Sequence, residues 1–402
     1  MSVRFRLGLM MFLQYAIWGS WSPVLSDYLI NRLGFSGTQV GFIYSLLPLA
    51  TIISPFIGGQ VADRYLATQK IIALLQLAGG LLLIIGSRLT DFSSLAGLML
   101  VYCLIYAPTL ALTNSIAFIH LRDREREFGQ IRVWGTIGWI VAGLLLAGWR
   151  LAFRSFGLAP VAGDTLLLAG IFSLIMGLTS FGLPHTPPKK EAAKPWAFLE
   201  ALRMLRDRNF AVFIVLAFIV ATELMFYYVM TAPYLTSEMI GVSSSAVSGV
   251  MVIAQIAEIF VMALLLPYFL PRFGIRTTLL IGILAWPVRY IIFVIGKPSW
   301  LVIASLALHG FCYVFFFTAA FIYVDRVAPS DIRASAQSLI TFATIGVGNY
   351  LGSLFAGWIQ SLFTGPAGTN WRAVFAIPAA ITILCALIFL LFFKGDKSTQ
   401  AK

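Results

Sequence analysis

Apolar residues run along this chain in blocks of about 20 or more, each long enough to cross roughly 30 Å of hydrocarbon as a helix. Twelve such blocks are expected as spans: 8–30, 38–61, 69–88, 93–119, 130–149, 164–183, 209–236, 243–270, 275–295, 299–324, 333–361 and 371–394. Short polar stretches separate them almost everywhere. The exception is 184–208, rich in Pro and Lys and then amphipathic, with Trp196, Phe198, Leu199, Leu202 and Leu205 free to lie in a membrane interface. The pattern predicts an all-α membrane protein of twelve helices: six in 1–183, a cytoplasmic linker at 184–208, and six in 209–402.

Composition sharpens this picture. The chain is 60% hydrophobic and 11% charged, too few charges to cover a soluble protein of 402 residues. A net charge of +12 raises nucleic acid as a partner, but the basic residues sit in short loops between spans. With the N-terminus inside, inner segments hold 20 of the 28 Lys and Arg, and outer ones hold six: Arg32, Arg88, Arg150, Arg154, Lys297 and Arg372. That bias orients a multi-pass protein with both termini cytoplasmic and gives no nucleic-acid face. The first block lacks a small-residue cleavage site and is expected to stay as a helix. Cys103, Cys312 and Cys385 lie within apolar spans at spacings unsuited to a metal, so they are expected as packing residues.

The chemistry is expected where polar groups interrupt the apolar blocks. Only two acidic residues, Glu223 and Glu258, lie deep inside spans. A carboxylate at that depth is costly unless it meets a partner, a cavity or a proton. Gln255 precedes Glu258 by three residues, so the two share a helix face; a purely structural interhelical hydrogen bond is the plainer alternative. Glu223 sits beside Thr222 and one turn from Tyr227, and its plainer alternative is pairing with a neighbouring hydroxyl or with Arg289. Arg289 needs a partner inside its own span, and an ion pair, with Glu223 as one candidate, is the simplest account. Arg132, Thr136 and Trp139 share a face of the fifth span, where Arg132 either serves a gate or ligand or snorkels to the interface. His309 can titrate near neutral pH or donate to a hydroxyl, although a lone core histidine is more often simply satisfied. No H-E-x-x-H, Gly-x-Ser-x-Gly, Asp pair or nucleotide-binding loop is present, so an enzyme or a nucleotide-driven pump is not expected.

Two weak internal matches support duplication. Asp63-Arg64-Tyr65 follows the second span, and Pro271-Arg272-Phe273 follows the eighth, offset by 208 residues. Gln130-Ile131-Arg132 and Asp331-Ile332-Arg333 are offset by 201. The two-halves plan resembles the major facilitator superfamily. The stretch from Gly59 through Asp63 and Arg64 to Lys70 is similar to that superfamily's cytoplasmic motif, with Leu66 where Gly is usual. The resemblance implies a gating latch at Asp63 and Arg64.

More specific segments resemble the bacterial nucleoside:proton symporter family. They are Phe12-Leu-Gln-Tyr-Ala-Ile-Trp18-Gly19-Ser20-Trp21, Tyr106-Ala-Pro108-Thr109, Ile131-Arg132-Val-Trp134-Gly135-Thr136-Ile-Gly138, Leu183-Pro184-His185, Phe273-Gly-Ile-Arg276, Ala285-Trp286-Pro-Val-Arg289 and Ile332-Arg333-Ala-Ser-Ala-Gln337. They span both halves in order. The resemblance implies proton-coupled import of a nucleoside or related ribosyl compound by alternating access in a bacterial inner membrane. Cargo-binding positions would be Arg132, Thr136, Trp139, Gln255, Glu258, Tyr228, His309 and Tyr313, with Glu258 and Glu223 as proton carriers. The implied partners are a nucleoside, protons and the lipid bilayer, for a monomer without cofactor or metal. The chain departs from the family's pattern at Met225 and Tyr228, where a Gln and an Asn are usual, and at Val314, where an Asp is usual. Those departures keep a sugar or another small polar metabolite open as the cargo.

Overall fold

The computed structural model describes residues 2–121, 123–159, 161–187 and 196–394, with backbone alone for 55–65, 124–126 and 197. The helices are α1 (Val3–Trp21), α2 (Leu25–Asn31), α3 (Gly37–Tyr65), α4 (Thr68–Gly86), α5 (Phe92–His120), α6 (Arg124–Ser155) and α7 (Asp164–Ser180), followed by α8 (Ala197–Ala201), α9 (Arg208–Thr236), α10 (Val247–Phe260), α11 (Leu266–Ile295), α12 (Ser299–Ser305), α13 (Ala319–Val327), α14 (Arg333–Thr341), α15 (Asn349–Leu362) and α16 (Trp371–Phe392). π-Helical stretches at Val261–Leu265, Phe311–Thr318 and Phe342–Gly348 widen the turns within three of these spans.

The short polar stretches start the helices. Ser2, Ser36, Asp91 and Asp207 each accept a hydrogen bond from a backbone N–H three residues on, and Ser36 with Gln39 completes a capping box. Among the described residues, nine helical stretches are long and apolar enough to cross a membrane. One of them, Val247–Ile295, carries two of the expected spans, divided at Gly274. Its φ of 74° lies in the left-handed region that suits glycine. Together with α1 and the 17-residue α7, this accounts for twelve spans. Boundaries differ from expectation at several places: the expected 8–30 span starts at Val3 and is divided between α1 and α2, and the span expected from 243 becomes helical at Val247. The helix expected from 130 already starts at Arg124, because a helix extends into polar sequence that does not itself span.

The chain divides into two compact units, Met1–Pro195 with Val242–Val252, and Trp196–Gly241 with Ile253–Lys402. In the first, α1 packs on α6 and α7, α4 on α5 and α7, and α3 on α5. The α1–α6 approach requires glycine at Gly138, where a Cβ would lie 2.1 Å from the Phe12 carbonyl oxygen. Near the far end of α6, the Arg150 fork holds Asp164 through two 2.6 Å bonds, and both side chains are buried. Its remaining Nη1 donates to the Ser244 carbonyl at 3.0 Å, tying the 242–252 segment into this unit.

A closed set of side-chain hydrogen bonds joins α1, α4, α5 and α7. Gln14 Nε2 donates to Thr109 Oγ1 at 2.9 Å, and Gln76 Nε2 donates to Gln14 Oε1 at 3.0 Å. Ser173 Oγ donates toward the Gln76 carbonyl and Oε1, both at 2.7 Å. The Tyr106 hydroxyl donates to the Gln14 carbonyl at 2.6 Å. All five residues are buried, so each bond spares a polar group from facing an apolar surround alone.

In the second unit, α11 packs on α16, α9 on α15 and α16, and α8 on α14. The linker residues Trp196, Leu199, Leu202 and Leu205 are exposed, and Phe198 stacks on Phe342 at 4.4 Å. Close approach recurs at Gly310, where a Cβ would lie 2.6 Å from the Ala257 carbonyl. Gly310 thereby holds the span carrying His309 against the α10 residue just before Glu258.

Candidate functional site

The expected site residues fall into two clusters, one in each unit. In the first, Arg132 lies more than two turns inside α6 and places its guanidinium over the Tyr15 ring, 3.9 Å from the centroid. One turn further along α1, Trp18 packs on Trp139 with ring centroids 5.5 Å apart. Arg132 and Thr136 are half-buried, and Trp139 is buried. The cluster is a cation above an aromatic floor, a surface suited to a flat polar molecule. Tyr15 and Trp18 are additions to the sequence reading. Their three-residue spacing on the first span was a visible signal, but their partners lie more than 100 residues away.

The second cluster gathers around Arg289, which is fully buried on α11. Its guanidinium carbon lies 4.7 Å from the Trp286 ring, 4.8 Å from Tyr227 and 5.2 Å from Tyr290. Nη1 donates to His309 Nδ1 at 3.2 Å. This corrects the ion pair expected for Arg289, and of the two alternatives for Glu223 the neighbouring hydroxyl is the one observed. Glu223 instead accepts from the Thr222 hydroxyl at 3.1 Å, and Tyr290, which could bring it toward Arg289, donates to the Glu223 backbone carbonyl rather than to the carboxyl. The cation is held by π faces and an imidazole, which a pattern of charges along the chain does not reveal.

The remaining second-unit residues surround this centre. His309 stacks with Tyr227 at 4.4 Å and with Tyr313 at 5.8 Å, and Tyr228 meets its edge at 6.1 Å. Glu258 is half-buried on α10 and within electrostatic reach of Tyr227 and Tyr228. Gln255, buried one turn earlier, approaches the Tyr227 hydroxyl without closing a hydrogen bond of ordinary geometry. Several buried atoms here have no hydrogen-bond partner among the described residues: Glu223 Oε2, Tyr227 OH, Gln255 Oε1, His309 Nε2, Trp286 Nε1, and Arg289 Nε and Nη2. A buried polar atom without a partner is costly in a folded protein, so these groups keep hydrogen-bonding capacity that the described residues do not meet.

The structure thus brings Glu223, Tyr228, Gln255, Glu258, His309 and Tyr313 together around Arg289. Arg132, Thr136 and Trp139 form the separate first-unit cluster. Asp63 and Arg64, the expected latch, lie outside the described side chains. Met225 and Val314, at positions where the family's pattern has polar residues, are buried apolar side chains. Among the described residues no group of three His, Cys, Asp or Glu is placed to hold a metal.

Residues 1–398 match the family model described as nucleoside H+ symporter. The chain is 38% identical to YegT of Escherichia coli (strain K12), covering 97% of this chain and 93% of that one. It is 30% identical to the nucleoside permease NupG of the same organism, covering 98% and 96%. A crystal structure of the nucleoside transporter NupG is similar with a TM-score of 0.84 at 28% identity, covering 98% of this chain and 100% of that chain. A bacterial homolog of the human lysosomal transporter Spinster, 20% identical with a TM-score of 0.73, shares the fold. The fold is that of the major facilitator superfamily.

Proposed function

Because the chain belongs to the nucleoside H+ symporter family, we propose that it imports nucleosides with protons by alternating access, and that the Arg289-centred cluster serves both cargo and proton. The supporting observation is the set of buried, unpartnered polar atoms on Glu223, Tyr227, Gln255 and His309. Neutralising a buried carboxylate removes much of its desolvation cost, so proton uptake by Glu258, aided by Glu223, favours the loaded and closed form. Each inward proton contributes about 2.3 kcal/mol per 100 mV of membrane potential. Gln255, Glu258, Tyr228, His309 and Tyr313 bind cargo in the second unit, and Arg132, Thr136 and Trp139 do so in the first.

The protein is proposed to act as a monomer in a bacterial cytoplasmic membrane, with both termini inside and no catalytic chemistry of its own. The Lys and Arg bias toward one set of loops supports that orientation. Uptake of labelled uridine and adenosine into proteoliposomes under an imposed proton gradient is the test. Accumulation that collapses with a protonophore is expected. Equal filling with and without the gradient would remove proton coupling. Competition by free sugars and by no nucleoside would replace nucleosides with a sugar as cargo.

A further inference from the structure

We infer that Arg289 is a positioning residue that fixes the tautomer of His309, so that this histidine reads a hydrogen-bond acceptor on the cargo and does not carry the coupled proton. The inference rests on the transport reading above for the cargo, but its core is local geometry. An arginine cannot accept a hydrogen bond, so the 3.2 Å contact from Arg289 Nη1 makes His309 Nδ1 the acceptor. The ring proton then sits on Nε2. That atom is buried and has no partner among the described residues. The result is an N–H donor held ready and unsatisfied at a position where the family resemblance implies cargo.

The surroundings make this arrangement hard to reverse. Arg289 is caged by Trp286, Tyr227 and Tyr290, so its fork cannot easily turn away. The His309 ring is fixed by stacking on Tyr227 and Tyr313. Other ionisable groups near this centre are Glu223 and Tyr228 on α9, Glu258 on α10, Tyr290 on α11 and Cys312 beside Tyr313. A proton on Nδ1 would set donor against donor at 3.2 Å from a guanidinium. Glu223 accepts from a hydroxyl and not from a guanidinium, and protonation of a carboxylate, at Glu223 or Glu258, removes its charge. The division of labour follows: the carboxylates carry the proton and His309 donates to a lone pair such as a base carbonyl or a hydroxyl oxygen.

Long-range ¹H–¹⁵N NMR of the ¹⁵N-histidine-labelled full chain in detergent reads the tautomer directly. The His309 signal is assigned by its loss in His309→Gln. The expected result is an unprotonated Nδ1 and a protonated Nε2 from pH 5.5 to 8, with mixing of tautomers in Arg289→Gln and Arg289→Met. An Nδ1-protonated or doubly protonated ring in the wild type at pH 6 would overturn the inference, whatever the protein transports. In uptake, His309→Leu raises the half-saturating cargo concentration about tenfold or more, and His309→Gln, which keeps a donor, raises it by a smaller factor. Both are expected to keep the wild-type dependence on the proton gradient. Loss of gradient dependence in His309→Gln, or wild-type uptake by His309→Leu, would also overturn it. Failure of the wild type to take up any nucleoside would strike the proposed function alone, since the NMR result still decides the role of Arg289.

Discussion

Gln14, Gln76, Thr109, Ser173 and Tyr106 in the first unit, and Glu223, Tyr227, Gln255, Arg289 and His309 in the second, are both buried polar sets crossing several helices. They are completed differently. In the first, amide and hydroxyl groups close on one another at 2.6–3.1 Å. In the second, five side chains retain six buried atoms without partners among the described residues. A closed network rigidifies the helices it joins and has no capacity left for a ligand. An open one keeps unmet hydrogen-bonding capacity at a cost in stability, which a transporter recovers when cargo and proton arrive. Completion of the bonds, more than polarity or burial, separates the closed framework from the cluster proposed as the site.

The largest effect is expected from neutralising the proposed proton carrier beside the open set while preserving its shape. Glu258→Gln is expected to abolish uphill accumulation while some binding remains, because the amide mimics the protonated acid. Concentrative uptake and equilibrium exchange, measured side by side in proteoliposomes, check this. Accumulation at the wild-type level with unchanged pH dependence would transfer the coupling role to Glu223.

The closed set should respond oppositely. Gln76→Ala removes the amide that joins Gln14, Thr109 and Ser173, leaving buried groups short of partners at about 1–3 kcal/mol each. A drop of about 2–4 kcal/mol in stability is therefore expected, read as a lowered unfolding temperature in detergent. Gradient dependence and cargo preference per folded molecule should stay as in the wild type. If Gln76→Ala instead changes cargo preference while stability holds, the set is part of the site and the contrast fails.

Cargo selectivity tests the proposed cargo residues of both units from the ligand's side. Arg132, Thr136, Gln255 and Glu258 offer groups that suit ribose hydroxyls, whereas Met225 and Val314 put apolar side chains where amide and acid readers are usual in the family. Apolar and aromatic surfaces discriminate by only about 1–3 kcal/mol, and sites built to hydrogen-bond a group discriminate far more strongly. Competition uptake should therefore show 2′- and 3′-deoxy nucleosides as poor competitors, with uridine and adenosine differing much less. Equal competition by deoxy analogues would remove the ribose-reading roles.

Much of the fold was legible because lipid imposes a crude rule: blocks of sufficient length and apolarity become spans, and the capping residues between them start the helices. Glu223, Glu258 and Gln255 stood out for the same reason, since a polar residue in an apolar block needs an explanation. The partners did not stand out. Arg289 could be seen to need one, but the contact with His309 is tertiary, and the three aromatic rings around the guanidinium look in sequence like ordinary apolar residues. The closed amide set passed unremarked, because Gln14, Gln76 and Thr109 sit singly in separate spans. The π-helical stretch at Phe311–Thr318 was hidden as well: where every residue is apolar, a change in helical period leaves no trace.

The smallest expected effect is also the most direct comparison of the two sets, because each contains a buried tyrosine. The Tyr106 hydroxyl donates to the Gln14 carbonyl at 2.6 Å, and the Tyr227 hydroxyl has no partner. Tyr106→Phe removes a made bond and should lower stability by about 1 kcal/mol, with transport otherwise unchanged. Tyr227→Phe removes a group that is already unsatisfied, so stability should be unaffected or rise slightly, while the half-saturating cargo concentration increases. Thermal unfolding and uptake of both variants, in the same detergent and lipid, form a two-by-two test. Loss of stability without loss of affinity in Tyr227→Phe would mean that its hydroxyl does structural work, and the open set would then differ from the closed one only in the geometry of its bonds.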